Sequence, residues 1–262
     1  MEYSAQQRRD AILAQVMEQS RVSVTSLAER FGISQATVRR DLKALADGRQ
    51  VRLVHGGAEP ARISDYSFHA KARRNQDAKR VIGRLAAELI GDDERIFLDS
   101  GTTCFEVAAP LKRRRGLTII VNSARLALEL PDAPGANIIM LGGRYRPDRM
   151  DTTGQLAAAT LAQLRDYTAL IGADGLDKEL GPMASDMESA SLYNQAVQHA
   201  ARTWLLVDHS KFAASSLVKI AEWDKIQRVI TDQPPQPVWS EFLSQRGIKV
   251  TCPGDATVEP TI

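Results

Sequence analysis

Cysteine is scarce in this 262-residue chain. Cys104 and Cys252 stand far apart, without the spacing that binds a metal or builds a disulfide framework. The histidines His55, His69, His199 and His209 do not gather around them, so neither a metal nor a cofactor is expected. Long apolar runs are also missing. Stretches such as TIIVN from Thr118 fall far below the roughly 20 residues a membrane span needs, and the first ten residues, MEYSAQQRRD, lack the apolar segment of an export signal. A cytoplasmic protein without membrane association is expected. Neither sign of charge dominates, since 34 Lys and Arg face 32 Asp and Glu. With 44% hydrophobic and 25% charged residues, the composition excludes a wholly disordered, collagen-like or coiled-coil chain. The length suits one large domain, or a small domain followed by a medium one.

The charge is unevenly spread. Residues 1–90 carry 16 Lys and Arg against 10 Asp and Glu, whereas residues 91–262 carry 18 against 22. A surplus of six positive charges on a short segment fits either a polyanion partner or a slightly basic solvated surface. Ile12, Leu13, Val16 and Met17 recur at helical spacing, predicting a helix over 6–19 with Arg8, Arg9 and Asp10 toward water. In VSVTSLAERFGISQATVRRDLKAL, two further helical patterns, Leu27/Ala28/Phe31 and Val38/Leu42/Leu45, are hinged at Gly32. Gly32 suits the positive φ of a helix end, and Ser34 is a good cap for the next helix. This is the punctuation of a helix-turn-helix.

The second of these helices leaves Gln35, Thr37, Arg39, Arg40 and Lys43 off its apolar face. Gln35 lies in the first turn, where a recognition helix approaches base edges and a Gln amide can pair with adenine; Thr37 and the arginines suit phosphates or guanine. The alternative is a small helical bundle with a solvated polar face. VRLVHGGA from Val51 reads as a short hairpin, or wing, with Arg52 and His55 as phosphate contacts, although His55 also fits a plain surface turn. Residues 59–79 are polar and begin without periodicity, which puts a domain boundary near 60–75. Lys71, Arg73, Arg74, Lys79 and Arg80 then read as a solvated basic helix face or as groups beside DNA.

Beyond Val81, helical stretches alternate with seven β-rich runs starting at Arg95, Leu117, Asn137, Tyr167, Thr203, Arg228 and Ile248. Such alternation predicts an α/β domain with a mostly parallel sheet, and runs that are apolar throughout suit strands buried on both faces. Ligands of such sheets bind beyond the carboxyl ends of the strands. The first run ends in Asp99-Ser100-Gly101-Thr102-Thr103 and leads into a helix, CFEVAAPLK. That turn is either a phosphate cradle or an ordinary capped turn. The other runs end in Asn122-Ser123, Gly142-Gly143, Gly172-Ala173-Asp174-Gly175, Asp208-His209-Ser210-Lys211-Phe212 and Asp232. Asp174 can accept sugar hydroxyls and Lys211 can supply a point charge. Glu188 either faces the same pocket or only complements a helix dipole.

Arg9 to Ala58, with VSVTSLAERFGISQATVRRDLKAL followed by RLVHGGA, resembles the winged helix-turn-helix of the DeoR family of bacterial transcriptional regulators. The strand-end motifs resemble that family's sensor domain, so the likeness runs from about residue 6 to residue 252. It implies an N-terminal winged helix-turn-helix over 1–60, a linker over 61–75, and a Rossmann-like, ribose 5-phosphate isomerase-like sensor domain over 76–262. It further implies a repressor of a carbohydrate-utilisation operon that binds double-stranded operator DNA through Ser34, Gln35, Thr37, Arg39, Arg40, Lys43, Arg52 and His55. A phosphorylated sugar would be held at its phosphate by Ser100, Gly101, Thr102, Thr103 and Lys211, and surrounded by Asp99, Asn122, Asp174 and Glu188. Paired half-sites imply a homodimer or homotetramer. Cys104 and the run Asp151-Thr152-Thr153-Gly154-Gln155 depart from the family pattern, which bears on the identity of the ligand. The rival reading is a sugar-phosphate isomerase-like enzyme with an accessory DNA-binding module, Glu188 and Lys211 supplying acid–base groups.

Overall fold

The computed structural model describes residues 4–19, 21–48, 50–60 and 68–254, and the chain divides into two compact units, Met1–Arg73 and Arg74–Ile262. Of the expected linker, residues 61–67 lie outside the described residues, and Phe68–Arg73 is helical. Among the described residues no helix is long and apolar enough to cross a membrane.

The first unit runs α1 (Ala5–Gln19), β1 (Val22–Ser23), α2 (Val24–Phe31), α3 (Gln35–Asp47), β2 (Val51–Val54), β3 (Gly57–Pro60) and α4 (Phe68–Arg73). The Ser23 hydroxyl caps α2 by accepting from the Ser26 amide at 2.9 Å. The helix stops at Gly32, whose φ of 63° is the left-handed conformation that costs glycine nothing. Ser34 caps α3, accepting from the Thr37 amide at 3.1 Å. Ile12, Val16, Leu27, Val38, Leu42 and Leu45 meet in one core. β2 and β3 form the expected hairpin, and β1 adds a strand to it through Val22 opposite Ala58, a pairing too short to announce itself by periodicity. Arg8 departs from the expectation that it faces water. Its Nε donates to Asp41 at 2.6 Å, and Asp41 is buried on the apolar face of α3, so the pair ties α1 to α3.

The second unit continues with α5 (Gln76–Glu88), β4 (Arg95–Leu98), α6 (Thr102–Phe105), α7 (Ala108–Leu111), β5 (Thr118–Val121), α8 (Ala124–Glu129), β6 (Asn137–Met140), β7 (Arg144–Arg146), β8 (Asp151–Thr153), α9 (Gln155–Leu161), β9 (Thr168–Gly172), β10 (Gly175–Asp177), β11 (Gly181–Ala184), α10 (Met187–His199), β12 (Arg202–Leu206), β13 (Val218–Lys219), β14 (Arg228–Ile230), α11 (Pro237–Gln245) and β15 (Lys249–Thr251). The seven runs read from the sequence form one sheet in the order β15-β14-β12-β9-β4-β5-β6, and every pairing in it is parallel. Alternate residues feed two cores. Ile96, Leu98, Ile119 and Val121 pack with Ile82 and Ala86 of α5 on one face; Phe97, Ile120 and Ala169 pack with Ala157, Tyr193 and Leu243 on the other. Burial on both faces explains why these strands look apolar throughout.

Residues 104–112 do not form the single helix expected of them. Pro110 has no N–H to offer the Glu106 carbonyl four residues back, and the segment splits into α6 and α7. The Glu106 carbonyl instead lies against Gly83 of α5, so closely that an added Cβ would overlap it. Lys79, expected on a solvated face, is also displaced from that role: it is 3% exposed and sits on the inner side of α5. Gly83→Ala is expected to destabilise the second unit by about 2 kcal/mol through overpacking against backbone. That corresponds to a melting temperature lower by about 4–8 °C in calorimetry.

Candidate functional site

The strands β4, β5 and β6 run outward in one direction, while β9, β12, β14 and β15 run outward in the other, so the strand order reverses between β4 and β9. At such a reversal the loops leaving the two central strands diverge to opposite faces and open a crevice at their carboxyl ends. The 99–103 loop leaves β4 here, and Gly172-Ala173-Asp174 leaves β9. Asn122 follows β5 and Asp208-His209-Ser210-Lys211 follows β12, so the four strand ends that carry the expected ligand groups are neighbours.

Asp99 is placed under the loop and is 1% exposed. Its Oδ1 accepts from the Gly101 amide at 2.6 Å and its Oδ2 from the Gly172 amide at 2.5 Å, so one carboxylate joins both sides of the crevice. Burial pushes this carboxyl above its ordinary range, while the two amides oppose the shift. Asp99 and the Gly101 amide are thus engaged with each other rather than facing open space. Above them the Ser100 hydroxyl donates to Asp151 at 2.8 Å and lies 2.9 Å from the Tyr193 hydroxyl. Burial, with Asp99 and Asp151 nearby, pushes the Tyr193 phenol far up, so it keeps its proton and donates to Ser100. Thr102 and Thr103, both buried, begin α6.

Arg146, Asp151, Asp186, Ser189 and Tyr193 carry much of this geometry, and the sequence pattern did not single them out as ligand groups. Arg146 grips Asp151 through two nitrogens, at 2.7 and 2.6 Å, and also reaches Asp186 at 3.0 Å and Ser189 at 2.9 Å. Arg149 holds the other oxygen of Asp186 at 2.6 Å. Glu188 pairs with Arg144, accepts from Thr153 at 3.2 Å and lies 3.9 Å from Arg146, so it joins the Ser100 network rather than standing alone. Asp174 accepts from the Ser185 amide at 2.9 Å. Asn122 donates to the Thr152 carbonyl at 3.1 Å, and its Oδ1 is buried with no hydrogen-bond partner among the described residues. Lys211 belongs to a second cluster, with Asp208, Lys79 and Asn75. The β7–β8 hairpin that delivers Arg146 and Asp151 has three-residue strands, too short for a legible pattern.

A cleft of about 370 Å³ opens at the opposite, amino-terminal edge of the sheet, between residues 93–95, 166–168 and 201–202. Two ion pairs cross it, Arg95 with Asp166 at 2.8 Å and Arg202 with Glu94 at 3.4 Å, and it holds none of the ligand groups above.

On α3, Val38, Asp41, Leu42 and Leu45 turn inward while Gln35, Arg39, Arg40 and Lys43 are exposed. The Ser34 and Thr37 hydroxyls lie 2.9 Å apart and are partly used in the cap. Arg39 donates to the Gln35 side-chain oxygen at 3.4 Å. Arg52 pairs with Glu59 across the hairpin at 2.7 Å, and His55 is exposed at its turn.

Asp186 has a pH signature. Burial pushes its carboxyl up, but the Ser189 amide, Arg149 and Arg146 outweigh this and hold it well below the usual carboxylate range. A depressed carboxyl stabilises the fold above the unfolded value of about 3.9 and loses that contribution as pH falls. The urea midpoint of the native protein is therefore expected to drop more steeply between about pH 5 and 3 than that of Asp186→Asn, which keeps the cap but not the charge. Parallel profiles would refute the assignment.

Residues 8–62 match the DeoR-like helix-turn-helix domain and residues 74–233 the DeoR C terminal sensor domain. The transcriptional repressor AccR of Agrobacterium fabrum is 32% identical over 232 residues, 87% of this chain and 90% of its own. The transcriptional repressor GlcR of Bacillus subtilis is 30% identical over 247 residues, 94% and 95% of the two chains. The glycerol-3-phosphate regulon repressor of Escherichia coli K12 is 29% identical over 245 residues, 93% and 97% of the two. Among solved structures, a D-ribose-5-phosphate isomerase in complex with phospho-erythronic acid matches 52% of this chain and 53% of its own at 20% identity, with a TM-score of 0.38. With both units matched in this order along nearly the whole length of its relatives, the chain belongs to the DeoR family of DNA-binding transcriptional regulators.

Proposed function

We infer that this protein represses a carbohydrate-utilisation operon and that a phosphorylated sugar, bound at the β4/β9 crevice, changes its grip on operator DNA. The observation that carries this reading is the convergence, at the reversal of strand order, of hydroxyl, amide, carboxylate and ammonium groups from four strand ends. Ser100, Thr102, Thr103 and Lys211 suit the phosphate. Asn122, with its unpartnered buried oxygen, and Asp174 suit sugar hydroxyls, and Glu188 borders the same network. Asp99 and Gly101 shape the crevice by holding each other. The glycerol-3-phosphate regulon repressor among the relatives favours a small phosphorylated ligand. Glu188 and Lys211 lie in separate networks, which favours a receptor over an isomerase that needs a concerted acid–base pair. One small reading head makes a modest interface, so operator binding calls for a homodimer or homotetramer with paired half-sites.

On the DNA side, Gln35 reads base edges while Arg39, Arg40 and Lys43, with His55 and Arg52 of the wing, meet phosphates or guanine. Ser34 and Thr37 order the first turn of α3. Gln35→Ala is expected to relax base preference, and Arg39→Ala to weaken binding on all duplexes and lower the salt slope by about 1. Equal losses from both variants on specific and random DNA would defeat that division.

For the receptor, ribose 5-phosphate, fructose 6-phosphate and glycerol 3-phosphate, each beside its unphosphorylated counterpart, are the probes. A true ligand at about 100 times its Kd adds about 2.7 kcal/mol and raises the melting temperature by about 5–10 °C. Lys211→Ala should bind operator as before and lose at least tenfold in its response to that ligand. An intact response would remove Lys211 from the pocket.

A further inference from the structure

Asn75 occupies the capping position of α5, yet its side chain makes no capping bond to its own helix. Its amide reaches across the fold instead, donating to Asp208 Oδ1 at 2.9 Å and to the Ser210 hydroxyl at 3.2 Å. To do so it adopts the left-handed backbone, φ 51° and ψ 42°, which a non-glycine residue rarely takes up. One turn further, Lys79 is buried in the same place: its ammonium lies 3.8 Å from Asp208 Oδ2 and donates to the Arg74 carbonyl. A buried lysine is rare unless paired, and burial lowers its pKa while Asp208 opposes the shift.

The far end of this contact is the 208–211 loop. Asp208 caps it by accepting from the Ser210 amide at 3.0 Å, and its backbone oxygen accepts from the Lys211 amide at 2.9 Å. The near end is the place where the chain enters the sensor unit, since that unit begins at Arg74. One carboxylate therefore shapes the loop that carries Lys211 and also fastens the first residues after the DNA-reading unit. Both of its oxygens are committed, Oδ1 to Asn75 and Ser210 and Oδ2 toward Lys79, so a change in the loop that re-aims Asp208 cannot leave both ends as they are.

We propose that Asn75, Lys79 and Asp208 form a latch that couples the ligand loop to the chain segment leading into the DNA-binding unit. The inference rests on the reading of the Lys211 loop as part of the effector pocket. A ligand whose phosphate accepts the Ser210 hydroxyl proton competes with Asp208 Oδ1 for it, and drawing Ser210 away also takes an acceptor from the Asn75 amide, so such a ligand favours the open latch. A coupling of this kind requires that the ligand bind one latch state better than the other. Asn75, Lys79 and Asp208 are positioning residues in this scheme, and Lys211 remains the group that meets ligand.

The test uses the full chain and an operator duplex selected from a random pool with the native protein. Asn75→Gly keeps the left-handed backbone and removes the amide; Asp208→Asn weakens the other half. A second variant at the first position, Asn75→Asp, keeps the size and the backbone preference but presents an oxygen to Asp208. Without any ligand, each variant is expected to shift operator affinity at least fivefold in the same direction. The Asn75→Gly/Asp208→Asn double variant should add no further shift, because both single changes open one latch. Hydrogen exchange over residues 76–82 should rise in parallel. Operator affinities within twofold of the native protein, or single effects that multiply in the double variant, would overturn the latch. A native protein that responds to none of the three sugar phosphates would defeat the effector reading instead, while the ligand-free comparison still decides the latch.

Discussion

A single buried carboxylate organises the sensor unit. Asp99 closes the end of β4, and its two oxygens take the amides of Gly101, on its own loop, and Gly172, at the end of β9. Those strands are adjacent in the sheet but far apart in sequence, and they stand where the strand order turns back. Burying a carboxylate is costly unless donors surround it. Two inward-pointing backbone amides offset part of that cost, and burial still holds the carboxyl above its ordinary range. The crevice opens at that point because the loops leaving two adjacent strands diverge, and it keeps its shape because one acid joins both sides.

Around this centre the polar groups are arranged in two networks. One runs from Tyr193 through Ser100 to Asp151, Arg146, Asp186 and Arg149, and is supported by residues on the β7–β8 hairpin and on α10. The other runs from Asp208 to Asn75 and Lys79 at the start of α5. Both place a buried carboxylate, Asp151 in one and Asp208 in the other, beside a cation. The first network sits over the loop suited to phosphate; the second sits beside the entry of the chain.

The DNA-reading unit follows a simpler plan. Its core is aliphatic, its turns are set by Ser23, Gly32 and Ser34, and one buried pair, Arg8 with Asp41, ties α1 to α3. That leaves one face of α3 free to carry Gln35, Arg39, Arg40 and Lys43 without a structural task that would restrict them.

Local chemistry determined which segments became helices and strands: Gly32 stops α2 because only glycine is unstrained at that φ, Ser34 caps α3, and the seven β-rich runs became seven parallel strands, the central ones apolar throughout because both of their faces are buried. The strand-end motifs were legible for the same reason, since polar and glycine residues gather where a buried apolar strand gives way to a loop. What the sequence could not disclose were contacts between residues distant along the chain. Arg8 looked solvated until Asp41 was seen beneath it, Lys79 looked like surface until Asp208 was found beside it, and Arg146 and Asp151 sat in strands of three residues. Periodicity reports which face of an element is apolar, but it carries no record of which charge lies opposite another. Only the packing of the elements decided that Asp99 would serve two strand ends and that Asn75 would spend its side chain on a loop more than a hundred residues away.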